Sequence, residues 1–147
     1  MSVTRGRISY GVGSKHNPGD PWGELSLVIE LDGRARLVQD TRGGVFTYTG
    51  TVVGSALERF WTALDTTDFP GEPDLAGPPG AATRSLTIGP DPDGPTAYLG
   101  SRGLSAKPGY ANAFFILDTV IRQLSKDRIT GVPPSESIVE GTEEVST

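Results

Sequence analysis

Residues 54–69 read GSALERFWTALDTTDF, and the rest of the chain can be arranged around the helix that this stretch predicts. Large apolar residues recur at the spacing i, i+3, i+4 and i+7, which forms one stripe along a helix: Leu57, Phe60, Trp61 and Leu64. Ser55 followed by Glu58 is typical of a capping box at a helix start. We therefore expect a helix over about residues 55–66. Its aromatic stripe needs a broad apolar cover, most simply one face of a sheet.

A second helix is predicted over about residues 110–125. Apolar residues there recur at spacings of four and three, again on one side of a helix: Tyr110, Phe114, Leu117, Ile121 and Leu124. Six segments are rich in alternating, β-branched or aromatic residues and predict strands: residues 5–12, 24–31, 34–39, 45–53, 83–89 and 96–101.

Asp32-Gly33 marks a hairpin between the second and third strands. A two-residue turn would set the apolar Ile29 opposite Arg36. A three-residue loop ending in a left-handed Gly33 instead pairs Ile29 with Ala35. It also pairs Leu27 with Leu37. The three-residue loop keeps the apolar faces together, so we predict that register.

The predicted architecture is α+β, with a mostly antiparallel sheet of about six strands and two helices on one face, in the order β-β-β-β-α-β-β-α. Residues 1–130 are expected to form one domain, and residues 131–147 an acidic, disordered tail. The expected core is Leu27, Ile29, Leu37, Leu57, Phe60, Trp61, Leu64, Leu86, Ile88, Phe114, Leu117 and Ile121.

Composition restricts the functional classes. The 147 residues carry a net charge of −5 and are 35% apolar. No Lys or Arg follows Arg128, whereas four glutamates do, and without those four the net charge is −1. The chain without these four glutamates therefore lacks the excess of positive charge that is typical of nucleic-acid-binding proteins. The absence of cysteine excludes disulfides and thiol chemistry. With no signal-peptide or membrane-spanning pattern, we expect a cytoplasmic protein with no membrane partner.

No catalytic or metal-binding motif is complete. Residues 11–15, GVGSK, lack the order of a phosphate loop. His16 is the single histidine, and a histidine exposed in a loop is the simpler interpretation than a Ser-His-Asp site. The carboxylates Asp65 and Asp68, with two more in residues 72–74, are best interpreted as solvated charge rather than as an acid–base pair or a cation site. We expect no cofactor and no metal, and these observations argue against an enzyme while leaving that question open.

Exposed loop and strand residues are the candidates for protein contact, since aromatic and arginine side chains dominate binding surfaces. The candidates are His16, Asp20, Trp22, Tyr98 and Arg102.

The order of features in residues 45–125 supports a family resemblance. Ser55-x-x-Glu58 opens a helix that ends in residues 68–70, DFP; a Pro/Gly loop, residues 85–88 (SLTI), a turn at residues 93–94 and a closing amphipathic helix follow. This layout resembles the emfourin-type inhibitors of thermolysin-like metalloproteases, and is similar to small immunity-type proteins of actinobacteria. The resemblance implies an inhibitor of a partner protein. The amino-terminal region departs from the inhibitor pattern, so no inhibitory residue is carried over.

The first functional hypothesis is therefore a non-catalytic protein-binding module, an inhibitor or immunity-type protein that binds and blocks a toxin, a protease or another protein. Proline-restrained loops suit such recognition, because they lose less entropy on docking. One alternative is a small enzyme or small-molecule-binding protein with a pocket near residues 13–23. Another is an assembly subunit that adds an exposed strand at residues 5–12 to a partner sheet.

Overall fold

A computed structural model provides the structure of the chain. It describes residues 5–13, 24–41, 44–69, 84–90, 94–99, 108–125 and 138–145. Seven strands are β1 (Ile8–Gly13), β2 (Glu24–Ile29), β3 (Arg34–Thr41), β4 (Gly44–Val52), β5 (Arg84–Ile88), β6 (Thr96–Leu99) and β7 (Val139–Val145). Two helices are α1 (Gly54–Asp65) and α2 (Pro108–Leu124).

All seven strands form one antiparallel sheet in the order β6-β5-β1-β2-β3-β4-β7. The predicted α+β class and element order are confirmed, with one strand more than expected. The first strand lies between β2 and β5, so both of its edges are hydrogen-bonded. The hypothesis that residues 5–12 offer an exposed strand to a partner sheet is therefore wrong.

The hairpin register is the predicted one. Ile29 pairs with Ala35 and Leu27 with Leu37 across β2 and β3. Gly33 has a φ of 95°, a conformation that costs glycine little and L side chains much. Its carbonyl oxygen accepts a hydrogen bond from the N–H of Val52, 2.8 Å away, which ties the hairpin loop to the end of β4.

The core lies between one face of the sheet and the two helices. Alternate strand residues are buried on that face, and they include Ile8, Tyr10, Leu25, Leu27, Ile29, Ala35, Leu37, Leu86 and Ile88. The helices contact each other, and α2 also contacts β3, β4 and β7. Eleven of the twelve predicted core residues are buried, whereas Leu57 is partly buried and packs against the others. Each buried large apolar side chain stabilises the fold by about 1.5–3 kcal/mol.

The predicted capping box is wrong. The helix α1 begins at Gly54, and the residue that caps it is Val53, which provides no side-chain hydrogen bond. Ser55 therefore lies inside the first turn, where a hydroxyl cannot take the capping position. Glu58 instead accepts hydrogen bonds from the Arg5 guanidinium. The Ser55-x-x-Glu58 pattern therefore occurs here without forming a capping box. The direct connection from β4 sets the start of the helix at Gly54, one residue earlier than predicted.

The prediction of a disordered tail is wrong for residues 138–145. The strand β7 pairs with β4, and Ile138 and Val139 are buried. Gln123 of α2 holds the start of this strand: its Oε1 accepts hydrogen bonds from the N–H groups of Ile138 (2.8 Å) and Val139 (3.0 Å). Tertiary contacts with β4 and α2 thus order a segment whose composition alone is typical of disorder. The domain extends at least to Val145.

Candidate functional site

The sheet has one face that the helices do not cover, and we call it the open face. Side chains there alternate with the core residues along each strand, as the period of two requires. Among the described residues, no helix or strand lies over this face. It carries hydroxyls and β-branched side chains with a few charges, in contrast to the apolar core face: Ser9, Ser26, Val28, Val38, Thr49, Ser85 and Thr87. Thr47 stands on the same side of the sheet but is only 2% exposed.

A concavity of about 580 Å³, open to solvent, lies at the end of the open face near the β2–β3 hairpin. Three of its lining residues are arginines and one is a glutamate. The full lining is Arg7, Val28, Glu30, Arg34, Ala35, Arg36, Thr49, Gly50, Thr51 and Gly141. A cationic concavity is unexpected on a chain of net charge −5, and it marks this place as the candidate site.

The three arginines differ in their partners. The guanidinium of Arg7 forms an ion pair with Glu30, with Nε and Oε1 2.8 Å apart. Arg34 forms an ion pair with Asp32 at 2.7 Å, and the backbone N–H of Arg34 donates a further hydrogen bond that lowers the pKa of the Asp32 carboxyl. Within the described part of the chain, Arg36 has no ion pair. Its guanidinium is therefore the group with free donors for a ligand carboxylate.

Two threonine hydroxyls flank the arginines. Thr49 pairs with Arg36, and Thr51 with Arg34, in the ladder between β3 and β4. Both side chains of each pair stand on the open face. Guanidinium and hydroxyl donors side by side can hold a carboxylate or another oxyanion by hydrogen bonds. Over the described ranges, no group of three or more potential metal ligands is clustered.

Of the five predicted protein-binding residues, the structure describes one. His16, Asp20, Trp22 and Arg102 lie outside the described residues, as does the pocket proposed near residues 13–23. Tyr98 is described: it lies in β6 on the open face, with 44% of its surface exposed. It is four strands away from Arg36 along the sheet, about 19 Å at the usual strand spacing. The structure therefore puts Tyr98 on the same face as the concavity but not in it.

The carboxylates after α1 can be placed in part. Asp68 accepts a hydrogen bond from the hydroxyl of Tyr110, 2.9 Å away, and so joins the end of α1 to the start of α2. Residues 72 and 74 lie outside the described residues. Asp68 thus has a structural partner, and is not only solvated charge.

A second polar cluster lies on the helix side of the sheet. Arg84 of β5 donates to both carboxylate oxygens of Asp118 on α2, at 2.8 and 3.0 Å. The hydroxyl of Tyr10 donates to Asp118 Oδ1 at 2.8 Å and accepts a hydrogen bond from Arg84. Burial and the neighbouring Asp118 charge raise the pKa of Tyr10 well above its usual value. Tyr10 therefore keeps its proton at neutral pH and cannot serve as a base, so this cluster is a tie between α2 and the sheet.

Alkaline pH is expected to destabilise the fold through two tyrosines. Burial, with the hydrogen bond to Asp68 second, raises the pKa of Tyr110 to about 12, and the pKa of Tyr10 is also raised. Above pH 10 the unfolded chain loses these protons while the folded chain keeps them, so stability falls as the pH rises from 10 toward 12. We expect a loss of about 2–3 kcal/mol between pH 8 and pH 11.

Urea denaturation at the two pH values measures this loss. The variant Tyr110→Phe should show about half of it, because one of the two titrating groups is gone. Tyr98→Phe removes an exposed tyrosine and serves as the control, with an unchanged loss. Equal losses in the wild type and in Tyr110→Phe would refute the assignment to Tyr110.

The site was only partly visible in the sequence. Arg34 and Arg36 stand two apart in β3, which predicts that they share the polar face of a strand. The predicted hairpin register also sets Glu30 opposite Arg34, and the backbone N–H of Glu30 does donate to the carbonyl oxygen of Arg34, 2.8 Å away. No sequence signal links the two arginines to Thr49. Arg84 and Asp118 are 34 residues apart, and neither belongs to a recognisable motif.

The comparisons with known proteins give no family. No protein-family model matches the sequence, and a search of curated proteins finds no match. These comparisons therefore lend no support to the resemblance to emfourin-type inhibitors or immunity proteins. Among the described helices, none is both long and apolar enough to cross a membrane. The cytoplasmic location and the absence of a nucleic-acid partner stay predictions.

Proposed function

We propose that this chain is a non-catalytic protein-binding module, and that its partner docks on the open face over the concavity. One observation carries the proposal: neither of the two described helices lies over one face of the seven-stranded sheet, and that face holds an arginine that has no ion pair within the described residues. Arginine is enriched at the energetic centres of protein interfaces, where its fork of donors binds carboxylates with defined geometry. The Ser, Thr and Val side chains around it are small enough for close approach of a partner surface.

The finer assignment, an inhibitor or immunity-type protein, rests on the layout resemblance of residues 45–125 alone. An inhibitor needs no catalytic groups of its own, and the Tyr10–Arg84–Asp118 cluster acts as a structural tie. The alternative of a small enzyme with a pocket near residues 13–23 stays a prediction, since residues 14–23 lie outside the described part of the chain.

Site-specific crosslinking tests the docking face. A photoreactive amino acid at Ser26, exposed on the open face, should crosslink a partner in the cells that make the protein. The same amino acid at Asn112, exposed on α2, should not. Arg36→Glu should reduce the Ser26 crosslink at least tenfold, whereas Arg59→Glu, the same charge reversal on α1, should leave it intact. Crosslinks from Asn112 alone, or none from Ser26, would refute the proposed face.

A further inference from the structure

The register of β3, β4 and β7 arranges part of the open face in two rows. In each row one residue of β3, one of β4 and one of β7 stand side by side. The rows are Arg34–Thr51–Glu140 and Arg36–Thr49–Glu143. Both rows thus have a cation at one end, a hydroxyl in the middle and an anion at the other end.

A bulge in β7 produces this pattern. Glu140 and Glu143 are three residues apart, so a regular strand would turn them to opposite faces. The register shifts between their partners Thr51 and Thr49, and Gly141 lies in the bulge with a φ of 61°. A bulge inserts one extra residue and re-aims the side chains that follow it. Both glutamates therefore face the same way as Arg34 and Arg36.

Each row is complementary to itself when it is reversed end to end. Rotation by 180° about an axis above β4 and parallel to it keeps the strand direction and exchanges β3 with β7. We propose that a second copy of this chain covers the open face in this orientation. Arg36 then meets Glu143 of the second copy, and the same pair forms again by symmetry. The central threonines, Thr49 and Thr51, face their own copies. This is an isologous interface, the commonest kind in homodimers.

The charges are available for such contacts. Within the described residues, Arg36, Glu140 and Glu143 take part in no ion pair. In one chain Arg36 and Glu143 stand two strands apart, about 10 Å, and the structure does not pair them. Facing sheets pack about 10 Å apart, which leaves room for an arginine and a glutamate side chain to meet between them.

The interface is small. Three strands over three residues cover a footprint of about 14 Å by 10 Å, which is well below the roughly 800 Å² per partner of a standard interface. Much of its complementarity is ionic and screened by salt. The dimer is therefore weak and favoured at high concentration and low ionic strength. The homodimer goes beyond the proposed function, since it forms from the purified chain alone. A partner protein that docks on the same face would have to displace the second copy.

Sedimentation equilibrium of the purified chain tests the dimer. At 20 mM salt, the average mass should rise from 15.5 kDa toward twice that value as the concentration increases from 10 μM to 1 mM. Raising the salt to 300 mM should weaken association at least fivefold. A mass of 15.5 kDa at 1 mM in low salt would refute the dimer, and would leave the proposed docking of another protein untouched.

Charge reversal tests the orientation. In Arg36→Glu both ends of the Arg36–Thr49–Glu143 row are acidic, and in Glu143→Arg both are basic, so each variant should self-associate at least tenfold more weakly. Mixed together, the two variants should form a heterodimer, because each acidic row meets a basic one. Arg59→Glu is the control for charge reversal and should dimerise like the wild type. Failure of the mixture to associate would overturn the proposed orientation even if the wild type dimerises.

Discussion

Deletion of residues 138–147 is expected to lower the free energy of unfolding by about 3–6 kcal/mol. Two buried side chains are lost, Ile138 with 4% and Val139 with 6% of the surface exposed, and each contributes about 1.5–3 kcal/mol. The deletion also removes the two backbone N–H groups that bind Gln123 Oε1. An amide oxygen left buried without a donor adds to the cost. The expected loss is about a third to a half of the stability of an average domain.

Urea denaturation followed by circular dichroism measures this effect at a protein concentration of a few micromolar. Glu140→Gln is the control, because it changes an exposed side chain of β7 and keeps the strand. If the truncated chain does not fold, Val139→Ala should still fold, with a smaller loss of about 1–2 kcal/mol. A truncated chain within 1 kcal/mol of the full chain would mean that β7 is not part of the folded domain in solution.

Replacing Phe114 with alanine is expected to cost about 3–5 kcal/mol. Phe114 of α2 is 1% exposed and belongs to the core cluster. Its ring centroid is 5.2 Å from that of Tyr10 and 6.0 Å from that of Tyr110. Alanine would leave a cavity between β1 and α2, and would remove aromatic contacts that contribute beyond their buried area.

The next residue provides a matched control. Phe115 is 65% exposed, so Phe115→Ala should change the free energy of unfolding by no more than about 0.5 kcal/mol. Both substitutions have the same chemistry and the same helix propensity change, and they differ only in burial. Similar losses in the two variants would contradict the orientation of α2 described above.

Local periodicity made the helices and the β2–β3 hairpin predictable. In residues 54–69 the apolar spacing matches a helix and no other element. In the hairpin, the need to keep Leu27 and Leu37 on one face selected the correct register, since a slip of one residue would turn every side chain over. Both signals lie within about a dozen residues, where the sequence records the structure most directly.

The seventh strand had no such signal. Its sequence, VEGTEEV, is rich in glutamate and glycine, which are depleted in strands. Two contacts order this strand. One is the edge of β4 that β3 does not occupy. The other is the side chain of Gln123 on α2, 16 residues before Val139. The adjacent pair Ile138-Val139 was the one apolar feature in a polar segment. Two adjacent apolar residues in such a segment could have predicted that the chain packs against the core again at this point.

The candidate site was even harder to predict from the sequence than β7. The polar face of β3 could be inferred from the alternation of Arg34 and Arg36, but the sheet order could not. The neighbours β3, β4 and β7 come from positions up to 110 residues apart in the sequence. The shift of register at Gly141 decides to which face Glu140 and Glu143 point. A single glycine in an acidic segment is not enough to predict a bulge.

The position of β1 has a consequence for the order in which the chain is made. Synthesis proceeds from the amino terminus, and the meander of β1 to β4 is complete once Val52 has emerged from the ribosome. The second edge of β1 finds its partner only with β5, when residues 84–88 appear. During that interval Ile8 and Tyr10 belong to an open edge of the nascent sheet, free to pair with any other strand. The number of residues between α1 and β5 therefore sets how long this edge stays unpaired during synthesis. A longer insertion there should lower the yield of folded protein more than its stability.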